Sequence, residues 1–260
     1  MIRVASGNEF PECQINPVFK QDVDSESIHT KRFDSFDLFN MEKEEFEVLW
    51  LARIPALGFK TFSLIRLNQA GCVPVKIQYQ NVNNIRISSD NFQENSLFPT
   101  KIQRRHEMID SKSSFHLENK IMRFQFSTKT GLLLQTFSKQ DSHLDRTAVS
   151  FWTRNASAHA GVKVMANGVS HEVYKYTSYT PYRRLHGVIE SQIQVIYPHV
   201  VHRVRVSHVH EDSFRGLKID NIVTLRDAEM ENKELSMVVD TGKNVPHRVV
   251  LQKCQGKGKK

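Results

Sequence analysis

Period-two alternation of apolar and polar residues runs through most of this chain, and helical periodicity is nearly absent. In FHLENKIMRFQFSTKTGLLLQTFSK, Phe115 to Lys139, the residues Met122, Phe124 and Phe126 share one face while Arg123 and Gln125 share the other. Leu132 to Phe137 answers them after the Thr130-Gly131 turn. The stretch therefore predicts two strands folded back on each other, with Leu-Glu-Asn leading in. Upstream, Phe46, Val48 and Trp50 alternate in a strand that ends at Arg53-Ile54-Pro55. After the Pro55–Gly58 turn, Phe59, Thr61 and Ser63 alternate with Lys60, Phe62 and Leu64, which predicts a hairpin of a small sheet. Residues 34 to 47 read as an exposed loop with a helical turn at most, because Phe33, Phe36 and Phe39 lie among Asp, Ser and Asn.

Downstream, strands are predicted over Ala148–Thr153, Val162–Met165 and Val173–Tyr176. A long pair follows, Val188–Tyr197 and Val200–His210, with Val204 and Val206 alternating against Arg203 and Arg205. Leu217–Leu225 and Leu235–Val239 complete the series. So many strands with so little helix predict an all-β fold with a sandwich. The expected organisation is a small partial β-domain over 1–67, a linker with short strands such as Val75–Tyr79 over 68–112, a β-sandwich over 113–241, and a basic tail over 242–260.

Composition changes this picture little. With 260 residues, 39% hydrophobic and 25% charged, the chain can bury a real core. No apolar run approaches the roughly 20 residues that span a bilayer. The N-terminus, MIRVASGNEF, shows neither a signal-peptide nor a transit pattern, so no targeting signal is expected in this chain. The net charge of +8 suggests nucleic acid, but six basic residues and no acidic one follow Asp240, which leaves +2 for the body. A diffuse basic tail is a solvated end before it is a phosphate-binding surface, and no nucleic-acid partner is expected. Three scattered cysteines, Cys13, Cys72 and Cys254, leave one disulfide with a free thiol, or three thiols, equally open.

His143-Leu144-Asp145 and His210-Glu211-Asp212 each set an imidazole two residues from a carboxylate, a spacing that faces one side of a strand. Each sits at a polar turn without an obvious third ligand, so no metal site is expected. His199, His202, His208 and His210 lie along one strand and read as hydrogen-bonded histidines of a half-exposed face. Nucleophile-elbow, phosphate-loop, dinucleotide and zinc-protease motifs do not occur. Asn155-Ala156-Ser157 is an N-glycosylation triplet, usable only in a luminal protein. No catalytic residue is expected, and substrate-binding residues cannot be assigned.

Four stretches in register carry a resemblance further. NPVF at Asn16–Phe19, LARIPALGFKTFSL at Leu51–Leu64, LENKIMRFQFSTKTGLLLQTFSKQD at Leu117–Asp141, and HVVHRVRVSHVHE with KIDNIVTLRD resemble glycoside hydrolase family 38, of the Golgi α-mannosidase II type rather than the lysosomal one. The resemblance implies the end of an immunoglobulin-like β-domain followed by a large galactose-mutarotase-like β-sandwich. It implies a parent enzyme of the Golgi lumen, membrane-anchored, that trims mannose from N-glycans. Hydrolysis there is retaining, with an Asp nucleophile and a zinc ion held around a His-x-Asp-Pro-Gly-Trp motif. None of that machinery is encoded here, since neither His-x-Asp pair continues into Pro-Gly-Trp. The family's Gly-Ala-Tyr segment, whose Tyr approaches the sugar, is matched by Ala160-Gly161-Val162, and Val cannot hydrogen-bond a hydroxyl. The family's Thr-Asp-Leu-Asn-Gly continuation is replaced after Asp240 by the basic tail.

The expectation is thus a non-catalytic β-fragment, inactive alone, with no cofactor of its own. Its partners would be the parent's catalytic domain and N-glycan mannose. The alternative is a free-standing carbohydrate-binding sandwich, in which Trp152, Tyr174, Tyr176, Tyr179 and Tyr182 would be the sugar-stacking aromatics.

Overall fold

The computed structural model describes residues 2–19, 41–66, 71–81, 97–103, 114–155, 172–173, 180–197, 199–209, 216–223, 233–242 and 250–253. Every regular element among them is a strand. The first part of the chain forms β1 (Ile2–Ala5), β2 (Cys13–Phe19), β3 (Met41–Trp50), β4 (Ser63–Arg66), β5 (Val73–Pro74), β6 (Lys76–Gln80) and β7 (Thr100–Gln103). The central part forms β8 (Ser114–Glu118), β9 (Met122–Ser127), β10 (Leu133–Ser138), β11 (Leu144–Asp145), β12 (Ala148–Asn155) and β13 (Glu172–Val173). The last part forms β14 (Tyr182–His186), β15 (Glu190–Ile196), β16 (Val200–Ser207), β17 (Leu217–Val223), β18 (Lys233–Asp240) and β19 (Val250–Lys253).

A six-stranded sheet in the order β17-β16-β15-β14-β6-β7 organises the molecule. The long predicted pair is the β15–β16 hairpin, registered Ile193 to Val204 and Val195 to His202. Alternation places Tyr182, Ile193, Val195, Val204 and Val206 on one face, all essentially buried. That face packs against two four-stranded sheets, β11-β10-β9-β8 and β13-β12-β18-β19. Leu117, Phe124 and Phe126 come from the first and Val149, Phe151 and Met237 from the second. Each such side chain contributes about 1.5–3 kcal/mol on burial. Phe151 stands edge-on to Tyr197 at 5.6 Å, and Phe115 stacks on Tyr182 at 5.5 Å.

The FHLENKIMRFQFS stretch is more than the expected hairpin, because Ser114–Glu118 is itself a strand. Asn119 explains the tight return. Its Oδ1 accepts from the Ile121 and Met122 backbone N–H groups at 2.9 and 2.8 Å, a side-chain turn that starts β9. At the other bend Gly131 has φ +69°, and a Cβ there would lie 2.7 Å from Val195 Cγ2, so only glycine fits. The bend therefore presses onto the six-stranded sheet. Asn81, just after β6, fastens it there by donating to the carbonyls of Thr128, Lys129 and Thr180 at 3.0, 3.2 and 2.9 Å.

The opposite face of the large sheet is covered at its β6–β14–β15 end by the small sheet β3-β2-β5. Val4, Ile15, Phe19, Ile77, Tyr79 and Leu185 make this second core. A disulfide between Cys13 and Cys72 ties β2 to the residue before β5; Cys254 lies outside the described residues.

Several expectations are corrected. The hairpin of Phe46–Arg53 with Phe59–Leu64 does not form. Gly58 N–H bonds to Pro55 O at 3.0 Å with Leu57 left-handed, and the chain leaves β3 so that β4 pairs with β1 instead. Met41–Glu47, expected in a loop with a helical turn, is strand, because pairing with β2 overrides its charged composition; residues 34–40 lie outside the described part. The short strand expected at Val75–Tyr79 within the 68–112 linker is present as β6, and with β7 it pairs into the large sheet. Within the tail expected to be a solvated end, β19 pairs antiparallel with β18. Val162–Met165 lies outside the described residues, as does Val173–Tyr176 beyond Val173.

The two cores are locked by one side chain. Gln14, fully buried in β2, accepts from the Ile189 and Glu190 N–H groups at 2.8 and 3.1 Å and donates to Glu190 O at 3.0 Å. It also donates to Asn16 Oδ1 at 2.8 Å. The amide lies where a Cβ on Gly187 would be, 2.1 Å from Gln14 Oε1. Gly187→Ala should therefore cost about 2 kcal/mol in the parent chain by displacing that amide. In a Gln14→Ala background the same change should cost under about 0.5 kcal/mol. Urea unfolding of the four proteins measures the cycle, and equal costs in both backgrounds would contradict the lock.

Candidate functional site

The strands β14, β15 and β16 carry a second set of side chains, opposite the apolar core, that is unusually polar for an interior. Arg183, Gln192 and Gln194 are all essentially buried there. Arg183 Nε donates to Gln194 Oε1 at 2.6 Å, and Gln194 Nε2 donates to Gln192 Oε1 at 3.1 Å. The guanidinium of Arg183 lies 3.1 Å from the centroid of the Phe19 ring, so the small sheet supplies the arginine with a π-face. Buried polar groups are tolerated only when so partnered.

Towards the β16–β17 edge the small sheet no longer covers this face, and a cleft of about 830 Å³ opens. Trp50, Leu51, Ile54 and Phe62 form one wall. Ile189 and Leu217 form the other, and Glu190, Arg205, Ser207 and Lys218 supply its polar lining. Trp50 and Phe62 meet at 5.7 Å in a tilted pair, and Lys60 beside them bonds Glu9 at 2.5 Å. Arg205 pairs with Asp220 across the β16–β17 ladder. Burial pushes the Glu190 carboxyl up to about 7 against the opposing pull of Arg205, Lys218 and Arg203, with Glu47 adding to the rise. Oε1 of Glu190 and Nε of Arg205 are buried without a hydrogen-bond partner among the described residues. A carboxyl so perturbed at a cleft is the kind of group that marks a binding surface.

The residues singled out in the sequence are not gathered here. His143 Nε2 and Asp145 Oδ1 do meet at 3.1 Å, but in the open at β11. Among the described residues no three His, Cys, Asp or Glu side chains could share a metal ion. His210, Glu211 and Asp212 lie outside the described residues. The expected half-exposed histidine face is corrected, because His199 and His202 are buried. His202 belongs to the apolar core, edge-on to Phe151 at 5.3 Å, with Nδ1 2.7 Å from Asn221 Oδ1. His208 Nε2 meets Ser191 Oγ at 2.9 Å.

Of the proposed sugar-stacking aromatics, Tyr182 is wholly buried, and Trp152 Nε1 donates to Ser150 Oγ at 2.9 Å. Tyr174, Tyr176 and Tyr179 lie outside the described residues, as does Ala160-Gly161-Val162. Asn155 ends β12 opposite Lys233, while Ala156 and Ser157 lie outside the described residues. Sequence reasoning missed Gln14, Glu190 and the Trp50–Phe62 pair. The available signal for the buried polar face was polar alternation beside apolar residues, Gln192 and Gln194 in IESQIQVI and Gln14 and Asn16 in CQIN.

The described chain is thus an all-β protein whose polar interior joins two sheets, beside a cleft of mixed apolar and charged character. No family model matches it. It is 25% identical to human alpha-mannosidase 2 over 200 residues, which is 75% of this chain and 16% of that protein. It is 24% identical to the mouse alpha-mannosidase 2 and 25% identical to the rat one over 216 residues, 82% of this chain and 17% of each relative. These likenesses support a relationship to the α-mannosidase II proteins of glycoside hydrolase family 38. The chain spans about one sixth of the length of the curated relatives it matches.

The titrating groups make a pH profile. Burial lowers His186 and His202 to about 4, and His208 is lowered in the same way. An unfolded chain takes up those protons below 6.5 while the folded one does not, so stability falls as pH drops through this window. Glu190 acts oppositely, since its folded value of about 7 lies above the unfolded 4.5, and its contribution is lost as pH rises through 7. The histidines outnumber the carboxyl. Urea midpoints should therefore rise from pH 4 to about 6.5 and level off towards 7.5. In Glu190→Gln the rise between about 4.5 and 7 should be steeper than in the wild type, and equal slopes there would contradict the assignment.

Proposed function

We propose that this chain is a non-catalytic β-part of an α-mannosidase II-type glycosidase, a protein that hydrolyses mannosidic bonds of N-glycans in the Golgi lumen. The observation that carries the reading is the lopsided coverage of the match, 75–82% of this chain against 16–17% of the relatives. A likeness so complete on one side and so partial on the other is that of a component to a whole. The all-β architecture supports the reading, because its buried polar residues serve to join sheets rather than to converge on a reacting group. The Cys13–Cys72 disulfide supports a luminal setting, since such bonds persist in oxidising compartments.

In this reading the two carboxyl groups of a retaining mechanism and the zinc ion belong to a catalytic domain outside the chain. The role of the chain is scaffolding: it buries one face of that domain and helps to wall the sugar cleft. Asn155 would carry a glycan in that lumen. A second reading, a free-standing carbohydrate-binding sandwich, draws on Trp50 and Phe62 at the cleft, an aromatic pair of the sort on which pyranose rings stack.

Two measurements on one source separate them. An antibody against residues 114–155 should detect a native product several times heavier than 30.1 kDa. The purified 260-residue chain should not hydrolyse an aryl α-mannoside. A native band at the chain's own mass, together with saturable binding of methyl α-mannoside, would overturn the first reading in favour of the second.

A further inference from the structure

The segment between β3 and β4, LARIPALGFKTF, is the most exposed apolar part of the described molecule. Leu57 is fully exposed, Phe59 is 90% exposed and Ile54 is 56% exposed. Leu64 on β4 and Phe10 near β1 add to the same run of uncovered large side chains. Leu57 also holds φ +58°, a left-handed conformation that a leucine adopts only at a cost of about 1 kcal/mol or more. The turn thus holds a leucine on display at its tip, in a strained backbone, with no core contact in return.

This surface is continuous with the cleft, because Leu51 and Ile54 begin the projecting segment and also line the cleft wall. The result is a projection beside a recess. The recess ends on charged groups, Glu190, Arg205 and Lys218, two of which keep a buried polar atom without a partner among the described residues. Exposed apolar patches of this kind mark interfaces rather than solvent-facing skin. Lipid tails fit the projecting residues but not a recess that ends in a carboxyl and two cations. A polypeptide that offers apolar side chains to Trp50 and Phe62, and a carboxylate or hydroxyl to Arg205 and Lys218, fits both halves. The relatives carry some five-sixths of their length outside the matched stretch, which supplies such a polypeptide in the same molecule.

We infer that the Leu51–Phe62 projection and the adjoining β3–β15–β17 cleft form the surface on which this β-unit docks another domain of its own longer polypeptide. The inference rests on the proposed function and specifies which face makes the contact. Docking buries Leu57 and Phe59, and it brings a polar partner to the Arg205 and Lys218 side of the cleft.

The test uses the native-length product, expressed with a photo-reactive residue as Phe59→p-benzoylphenylalanine. Leu134→p-benzoylphenylalanine, at a residue 40% exposed on β10, serves as the control. Irradiation should cross-link position 59 within one polypeptide to a peptide outside residues 1–260, and position 134 should not form that link. A link from 59 only to lipid, to a second copy, to residues within 1–260, or to nothing overturns the docking surface. The gel separates this failure from that of the proposed function. A longer product without the cross-link sinks the docking alone, whereas a product of 30.1 kDa sinks both.

Discussion

A polar face buried between two sheets is the constraint on which the rest of this structure depends. Arg183, Gln192 and Gln194 lie on the side of β14–β15 opposite the apolar core, where an ordinary two-layer sandwich would leave them in water. They are covered instead, and their hydrogen-bonding capacity has to be met inside the protein. Phe19 from β2 supplies the π-face, the glutamines bond one another, and Gln14 closes the backbone at Ile189 and Glu190. Given that arrangement, the position of the small sheet is fixed to within a hydrogen-bond length. The absence of a side chain at Gly187 is then a requirement. The cleft lies where the small sheet's cover stops.

The same constraint explains what could and could not be read from the residues. The β9–β10 bend, the β15–β16 hairpin and β17 and β18 follow from alternation alone, because their apolar faces all point into one core. Val204 and Val206 against Arg203 and Arg205 is a pattern that names the strand and its inner face correctly. It says nothing of whether the outer face meets water or another sheet, because that is decided by partners distant in the chain. For this reason alternation does not single out Arg183 or the glutamines, and it shows β6 only as a short strand within a linker. Met41–Glu47 escaped notice because five of its seven residues are charged, and only pairing with β2 makes it a strand. The histidines misled in the opposite direction. Their sequence clustering suggested shared half-exposure, while the pleat sends His202 into the apolar core and His199 is buried just ahead of β16.

The candidate site was still less legible, since it is made by an edge and a gap rather than by a motif. Glu190 is unremarkable in IESQIQVI, and only its burial in the fold raises its proton affinity, against the pull of Arg205 and Lys218. Phe62 belongs to a stretch whose resemblance to family 38 was visible, and Trp50 directly precedes it, yet their meeting follows from the turn at Pro55–Gly58 that breaks the expected hairpin. On the proposed reading, the cleft, the projecting apolar loop and the partial coverage of much longer relatives share one physical explanation, a β-unit shaped to be completed by neighbouring protein.

Native-state amide exchange tests the central claim most directly, that a six-stranded sheet covered on both faces is the cooperative heart of the chain. The amides of Ile193, Gln194 and Val195 on β15 should exchange last, at the rate set by global unfolding. The amides of the two-stranded β1–β4 pair should exchange far earlier, through local opening. If β15 exchanges as fast as β1 and β4, the covered polar face does not hold the fold together and the account is wrong.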